Sequence, residues 1–279
     1  MKFLTKMVML FLLVLLCSSA YAADTGTSTE DEGQSNAYGQ MHDRPLSEPA
    51  VEEESPFAAD ANIGYCSHYM WRGQTLSNKG VIEPSVTFSY YGLAVNYWSN
   101  YDSDKNKTTE TDYTVSYTHG FDKLSLGVGQ IYYQLDGIED TQEVFLTAGY
   151  DVLLKPSFTW YYDFREGRGS YFELKLGHSF ALPYDIALNL GATASYVVDN
   201  VIMGTEQDGS DLDCFYHSNL SVSATIPVYK AIYATPMMAV SFPLDDDARR
   251  IFRNIIRANS YDGGGATVVY GGLTVGFAM

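Results

Sequence analysis

The chain has 279 residues, and 34 Asp and Glu against 17 Lys and Arg give it a formal net charge of -17. That balance excludes nucleic acid as a partner, because phosphates need Lys and Arg. With Tyr 23, Phe 14, Trp 3 and Gly 24 but only 18% charged residues, the composition favours a membrane barrel over a soluble exported enzyme.

Lysines at 2 and 6, an apolar run from Met7 to Leu16 and an Ala20-Tyr21-Ala22 end describe a secretory signal peptide over residues 1–22. The run is shorter than the ~20 residues a membrane helix needs. Cys17 is preceded by Leu16, where lipoprotein processing would require a small residue. No later apolar run reaches helical spanning length, so any further membrane span must be built from strands. Cys66 and Cys214 lie on distant predicted strands and indicate no disulfide framework. Residues 23–60 are acidic and poor in aliphatics, a segment that cannot bury enough apolar area to order itself. They are expected to form a flexible periplasmic leader; a plug or a partner-binding tail is the alternative.

From residue 61 to 279 the pattern has period two, the mark of strands with two chemically different faces. Val86, Phe88 and Tyr90 oppose Glu83, Ser85, Thr87 and Ser89; Tyr113, Val115 and Tyr117 oppose Asp112, Thr114, Ser116 and Thr118; Phe172, Leu174, Leu176 and Phe180 oppose Glu173, Lys175, Gly177 and Ser179. Tight turns near 91–92, 119–123, 153–156, 182–185 and 227–230 interleave with polar loops near 75–82, 102–109, 135–142, 165–170, 199–213 and 245–265. Short turns at one end, longer loops at the other and about twelve strands predict an all-β fold, a transmembrane antiparallel up-and-down β-barrel. The chain ends YGGLTVGFAM, in which Tyr270, Gly272, Val275 and Phe277 look like an outer-membrane assembly signal followed by two extra residues, Ala278 and Met279.

The stretch SHYMWRGQ at 67–74 places an arginine inside an aromatic run. In the first strand Ile63, Tyr65, Tyr69 and Trp71 share one face and Gly64, Cys66, His68, Met70 and Arg72 the other. A charge facing lipid near the midplane would cost ~2–4 kcal/mol, so Arg72 should face the lumen. The same parity sends Glu83, Glu110, Asp112, Glu143, Asp163, Glu173 and Lys175 inward in the outer half. Two readings stay open: an ion-pair network that fills a narrow barrel, or a water-filled passage whose surplus carboxylates favour cations. Gln130 sits on the apolar parity of Leu124, Leu126 and Val128, which predicts a bulge or register change there.

Residues 245–259, DDDARRIFRNIIRAN, predict a helix in the longest loop. Ala248, Ile251, Phe252, Ile255 and Ile256 recur at helical spacing, and Asp245 to Asp247 precede them where the helix dipole favours negative charge. Arg249, Arg253 and Arg257 lie four apart. The helix either packs on neighbouring loops, folds into the mouth so that its arginines make a constriction, or meets lipopolysaccharide phosphates.

Motifs for chemistry are missing from the sequence. There is no H-E-x-x-H, and Gly177 to Ala181 lacks the last glycine of a nucleophile elbow. His217, Asn219, Ser221 and Ser223 share the lumen parity, but residues two apart on one strand give no nucleophile-to-base contact. Asp102 to Asn106 opens like a calcium loop, yet its sixth position is Lys107 rather than glycine. No metal, no cofactor and no catalytic residue is assigned, and an outer-membrane lipid-modifying enzyme is the minor alternative.

At Ser67, Tyr69, Trp71, Arg72 and Gly73, then Gly92 and Trp98-Ser99-Asn100, the sequence resembles the TorF-like family of outer-membrane porins, with acidic strand starts at Glu110 and Glu143 also similar. The resemblance covers roughly residues 61–180. It implies a porin. With the signal peptide and the strand pattern, the expectation is a channel for small solutes in a Gram-negative outer membrane, reached through the Sec pathway. Expected partners are outer-membrane lipids and lipopolysaccharide, the barrel-assembly machinery and the solutes themselves. The rival to a channel is a closed barrel with a structural or surface-binding role.

Overall fold

The computed structural model describes residues 57–77, 79–259 and 265–279. The expected signal peptide and most of the leader lie outside the described residues. The first strand, β1, covers Phe57–Cys66 and so begins four residues ahead of the expected start. Two short strands follow, β2 (Tyr69–Trp71) and β3 (Gln74–Ser77). The wall continues through β4 (Val81–Tyr90), β5 (Leu93–Asp102), β6 (Lys107–Phe121), β7 (Leu124–Leu135), β8 (Thr141–Tyr150) and β9 (Ser157–Asp163). It is completed by β10 (Ser170–Leu182), β11 (Ile186–Val198), β12 (Asp213–Tyr229), β13 (Ile232–Pro243) and β14 (Val268–Ala278), with one α-helix, α1 (Asp246–Ala258), between the last two.

Twelve of these strands pair antiparallel with their neighbours in the chain, and β1 pairs with β14 to close the barrel. Closure leaves no unpaired edge, which is what a strand-built membrane span requires. Alternation does the rest. Ile63, Phe88, Val95, Leu146, Leu220 and Leu273 point outward and are exposed, whereas their neighbours in sequence point to the interior. The result is an apolar outer wall around a polar lumen, the arrangement of a transmembrane barrel.

At the seam, Ile63 lies opposite Val275 and Tyr65 opposite Leu273. A Cβ on Gly272 would lie 2.4 Å from the carbonyl oxygen of Tyr65, so glycine is what lets β14 approach β1 there. Met279 and Ala59 exchange backbone hydrogen bonds of 2.9 and 2.8 Å, so the two residues past Phe277 lengthen the seam. Tyr270 turns inward and accepts from Asn219 Nδ2 at 2.7 Å, whereas Val275 and Phe277 face outward and are exposed.

Two expectations fail locally. β7 runs through Gln130 with unbroken register, opposite Val115 on β6 and Val144 on β8, so the expected bulge is absent there. Gln130 faces outward, and Gln142, also facing outward, accepts from its Nε2 at 2.9 Å, which gives the Gln130 amide a partner on the wall. The second failure concerns the first strand. β1 leaves the wall after Cys66, and β2 with β3 forms a separate two-stranded sheet rather than a continuation of the wall.

Candidate functional site: a hairpin folded into the lumen

The departure from the wall is held at Ser67, whose N–H donates to the Gly271 carbonyl at 2.9 Å while its hydroxyl accepts from the Gly271 N–H at 3.1 Å. The chain then reverses at Arg72-Gly73, with Trp71 paired to Gln74 across a two-residue turn. Both turn residues have positive φ, 45° for Arg72 and 82° for Gly73, as a tight hairpin whose twist matches its strands demands. Tyr69 to Thr75 are all buried.

The hairpin meets side chains from much of the wall. Tyr69 donates to Glu110 Oε2 on β6 at 2.6 Å and packs 5.9 Å, centroid to centroid, from Trp98 on β5. Trp71 meets Tyr133 of β7 edge-on at 6.4 Å, and Gln74 Nε2 donates to the Tyr216 hydroxyl of β12 at 2.9 Å. At the tip, Arg72 Nη1 and Nη2 donate to Glu143 Oε1 and Oε2 of β8, each at 2.7 Å. The guanidinium carbon lies 4.6 Å from the ring centre of Tyr161 on β9 and 4.2 Å from that of Tyr171 on β10. Trp71 supplies a third ring at 4.9 Å.

Arg72 is 0% exposed and Glu143 1%. Taking two charges out of water costs several kcal/mol each, roughly, and is offset only by near-ideal geometry. Two parallel charge-assisted bonds provide that geometry, and each desolvated ring face adds ~0.5–2 kcal/mol. Tyr133 donates to Glu143 Oε2 at 2.8 Å and so fixes the carboxylate's orientation.

α1 closes the hairpin from the far side. Asp245 caps it by accepting from the Asp247 N–H at 3.0 Å. Ala248, Ile251, Phe252 and Ile256 form its buried face. Phe252 meets Tyr216 edge-on at 5.0 Å, and a Cβ added to Gly73 would come within 2.6 Å of the Phe252 ring and 2.7 Å of His217 Cβ. Asn259, just beyond the helix, donates to the Thr75 carbonyl at 2.8 Å.

Arg72, expected on the first wall strand, instead stands buried at the β2–β3 turn. Glu83, Glu110, Asp112, Glu143, Asp163 and Glu173 are buried. Glu110 and Glu143 hold the hairpin. Asp163 instead accepts from Thr141 Oγ1 at 2.7 Å and from the Arg165 N–H at 2.8 Å, which secures the loop after β9. Glu173 pairs with Lys175 at 2.7 Å.

The apolar stripe of α1 is its buried face, and Arg249, Arg253 and Arg257 are left exposed. Arg249 reaches only Asp246, at 3.7 Å, and Arg253 and Arg257 have no ion-pair partner among the described residues. Sequence reasoning missed Tyr69, Gln74, Tyr133, Tyr161, Tyr171 and Tyr216. For Tyr133, Tyr161 and Tyr171 the signal was an aromatic on the inward parity, where only polar residues were sought; Tyr69 and Gln74 lie on the unrecognised hairpin, and Tyr216 is brought inward by the register shift opposite Ser195.

One Ser/His contact does form. Ser195 Oγ lies 2.8 Å from His217 Nδ1, but it also accepts from the His217 N–H at 3.0 Å, at the register shift between Ala194 and Tyr196. Ser195 there satisfies backbone that the bulge removes from the ladder. Among the described residues no group of three or more His, Cys, Asp or Glu is placed to hold a metal. Cys66 and Cys214 are free and buried.

No family model matches the chain. No curated protein matches it either. Among solved structures it is similar to the NanC porin, at 11% identity and a TM-score of 0.48, over 79% of this chain and 98% of that one. It is similar to CdiB from Acinetobacter baumannii at 7% identity and a TM-score of 0.43, over 81% of this chain and 60% of that one. An anion-selective porin from Comamonas acidovorans follows at 10% identity and a TM-score of 0.31, over 80% and 98% of the two chains. The fold rests on the chain's own strand pairing.

Proposed function

We propose that this protein is an outer-membrane channel of the porin type for small solutes, exported through the Sec pathway and held shut here by its own hairpin. The observation that carries this reading is the contrast between the two halves of the lumen. Thr87, Asn96, Thr118, Thr147, Ser179 and Ser221 in the half away from the hairpin are small, polar and only half-buried, although Asn189 beside Ser179 is buried and Tyr233 packs over Gly276 in the same half. A barrel built to be solid would fill that half with large side chains, as packed barrels do. The hairpin and α1 are then the barrier; the hairpin is joined covalently to the wall only at its ends, and breaking its side-chain bonds to Glu110, Glu143 and Tyr216 would free it to withdraw.

Selectivity follows from the lumen charges. Glu83, Asp102, Glu110, Asp112, Glu143, Asp163 and Glu173 are buried, with Arg72 and Lys175 as the bases beside them. Once the hairpin withdraws, the surplus of carboxylates favours cations. The resemblance to TorF-like porins belongs with this reading. So do the outward Val275 and Phe277 as an assembly signal, and the exposed Arg253 and Arg257 as a match for lipopolysaccharide phosphates.

The bidentate Arg72–Glu143 pair favours the second reading, a permanently closed barrel. Planar-bilayer recordings of the refolded mature protein under a salt gradient separate the two, alongside a variant with residues 68–79 replaced by a short Gly/Ser linker. A channel gives rare cation-biased steps in the wild type and frequent ones in the variant. Silence from a variant shown to be folded would rule the channel out.

A further inference from the structure

Arg72 is seated as a bound ligand would be, and the seat belongs to the wall rather than to the hairpin. Glu143 on β8 accepts two parallel bonds of 2.7 Å, Tyr133 on β7 orients that carboxylate at 2.8 Å, and Tyr161 and Tyr171 stand 4.6 and 4.2 Å from the guanidinium carbon. With the hairpin withdrawn, all four groups stay on adjacent strands, because Tyr161 pairs with Tyr171 and Glu143 with Ile131 in the wall ladders. The chemistry they select is specific. A guanidinium is planar, presents a fork of donors to a carboxylate and offers weakly hydrated faces to aromatic rings; an ammonium has neither fork nor face.

The hairpin has other attachments, through Tyr69 to Glu110, Gln74 to Tyr216 and Gly73 against Phe252. A socket this complete exceeds what anchoring asks for, and a vacated Glu143 would be a buried carboxylate in need of a cation. We propose that Glu143, Tyr133, Tyr161 and Tyr171 form a binding site for a guanidinium-bearing solute, which the chain's own Arg72 fills in the closed state. This deepens the channel reading and rests on it for the solute's route. Arg72 is then an intramolecular competitor at an effective concentration on the order of millimolar. A free guanidinium that takes its place shifts the population toward the withdrawn hairpin.

The test is chemical rescue of the refolded mature protein carrying Arg72→Ala, with ethylguanidinium as the probe and ethylammonium as its control, read as the midpoint of thermal unfolding. Ethylguanidinium should raise the midpoint saturably, at concentrations at least about tenfold below those of ethylammonium. Adding Glu143→Gln should abolish the shift. Equal response to both cations, a shift that survives Glu143→Gln, or a folded Arg72→Ala protein that does not respond would each overturn the site.

Should Arg72→Ala fail to fold, Arg72→Lys keeps the charge without the fork. Agmatine should then expose Trp71 to acrylamide quenching at concentrations about tenfold lower than in the wild type; equal concentrations would overturn the site. Neither readout uses conductance, so a silent bilayer would remove the channel and leave the site standing.

Discussion

Removing one side chain of the Arg72–Glu143 pair should cost far more than removing both. Arg72→Met leaves Glu143, 1% exposed, with its hydrogen bond from Tyr133 but without its cation. Breaking a buried pair from one side typically costs ~3–5 kcal/mol, and the loss of two wall rings at 4.6 and 4.2 Å adds ~0.5–2 kcal/mol each. Glu143→Leu strands the guanidinium instead and should cost a similar amount. The double variant Arg72→Met with Glu143→Leu buries no charge at this place, and such replacements are often neutral or stabilising by ~1–4 kcal/mol. The expected coupling is therefore at least about 3 kcal/mol, measured as a double-mutant cycle by urea unfolding of the barrel in micelles. Hydrogen exchange at residues 69–77 should show the hairpin loosening before the wall. Single losses below about 1 kcal/mol that simply add would mean that Arg72 is hydrated, and the burial argument would fail.

Gly73→Ala attacks the same tip by another route. The turn needs φ of 82°, and the new Cβ would meet Phe252 at 2.6 Å and His217 at 2.7 Å, so undocking of the hairpin with little change in wall strand content is expected, read by exchange and circular dichroism. On the outer surface, Gln130→Leu should destabilise by about 1 kcal/mol because Gln142 loses its partner, while Gln130→Leu with Gln142→Leu should restore or exceed wild-type stability. A Gln130→Leu protein more stable than the double variant would contradict the paired-amide account.

What the sequence made legible was everything that depends on alternation. Val86, Phe88 and Tyr90 against Glu83, Ser85 and Thr87 is a local signal, and a wall strand reads the same wherever its partner lies. The hairpin was hidden because its turn competes with that signal. Tyr91-Gly92 and Arg72-Gly73 have nearly the same backbone, φ of 47° and 82° against 45° and 82°, yet only the first was recognised as a turn. Tyr69 and Trp71 extend the period of Ile63 and Tyr65, so parity ran on past the point where the chain left the wall. It still sent Arg72 inward, since the cost of a charge in lipid is the same on a strand or a turn. The helix shows the converse: its apolar stripe was plain, but which side would face the mouth depends on Tyr216 and Gly73, which no spacing within residues 245–259 reveals.

The hairpin also couples the register of the wall to long-range contacts, of which Arg72–Glu143 is the most demanding in geometry. Arg72 and Glu143 are 71 residues apart, and the strands between them must each be in register before the carboxylate points at the guanidinium. A slip of one residue anywhere along β8 would turn Glu143 toward the lipid and bring Val144 or Gln142 inward, because side chains alternate at every step. Many slips in a membrane barrel bury comparable apolar area, so the wall alone discriminates weakly among them. The docked arginine discriminates more strongly, since a wall slipped by one residue at β8 turns the Glu143 carboxylate away from it.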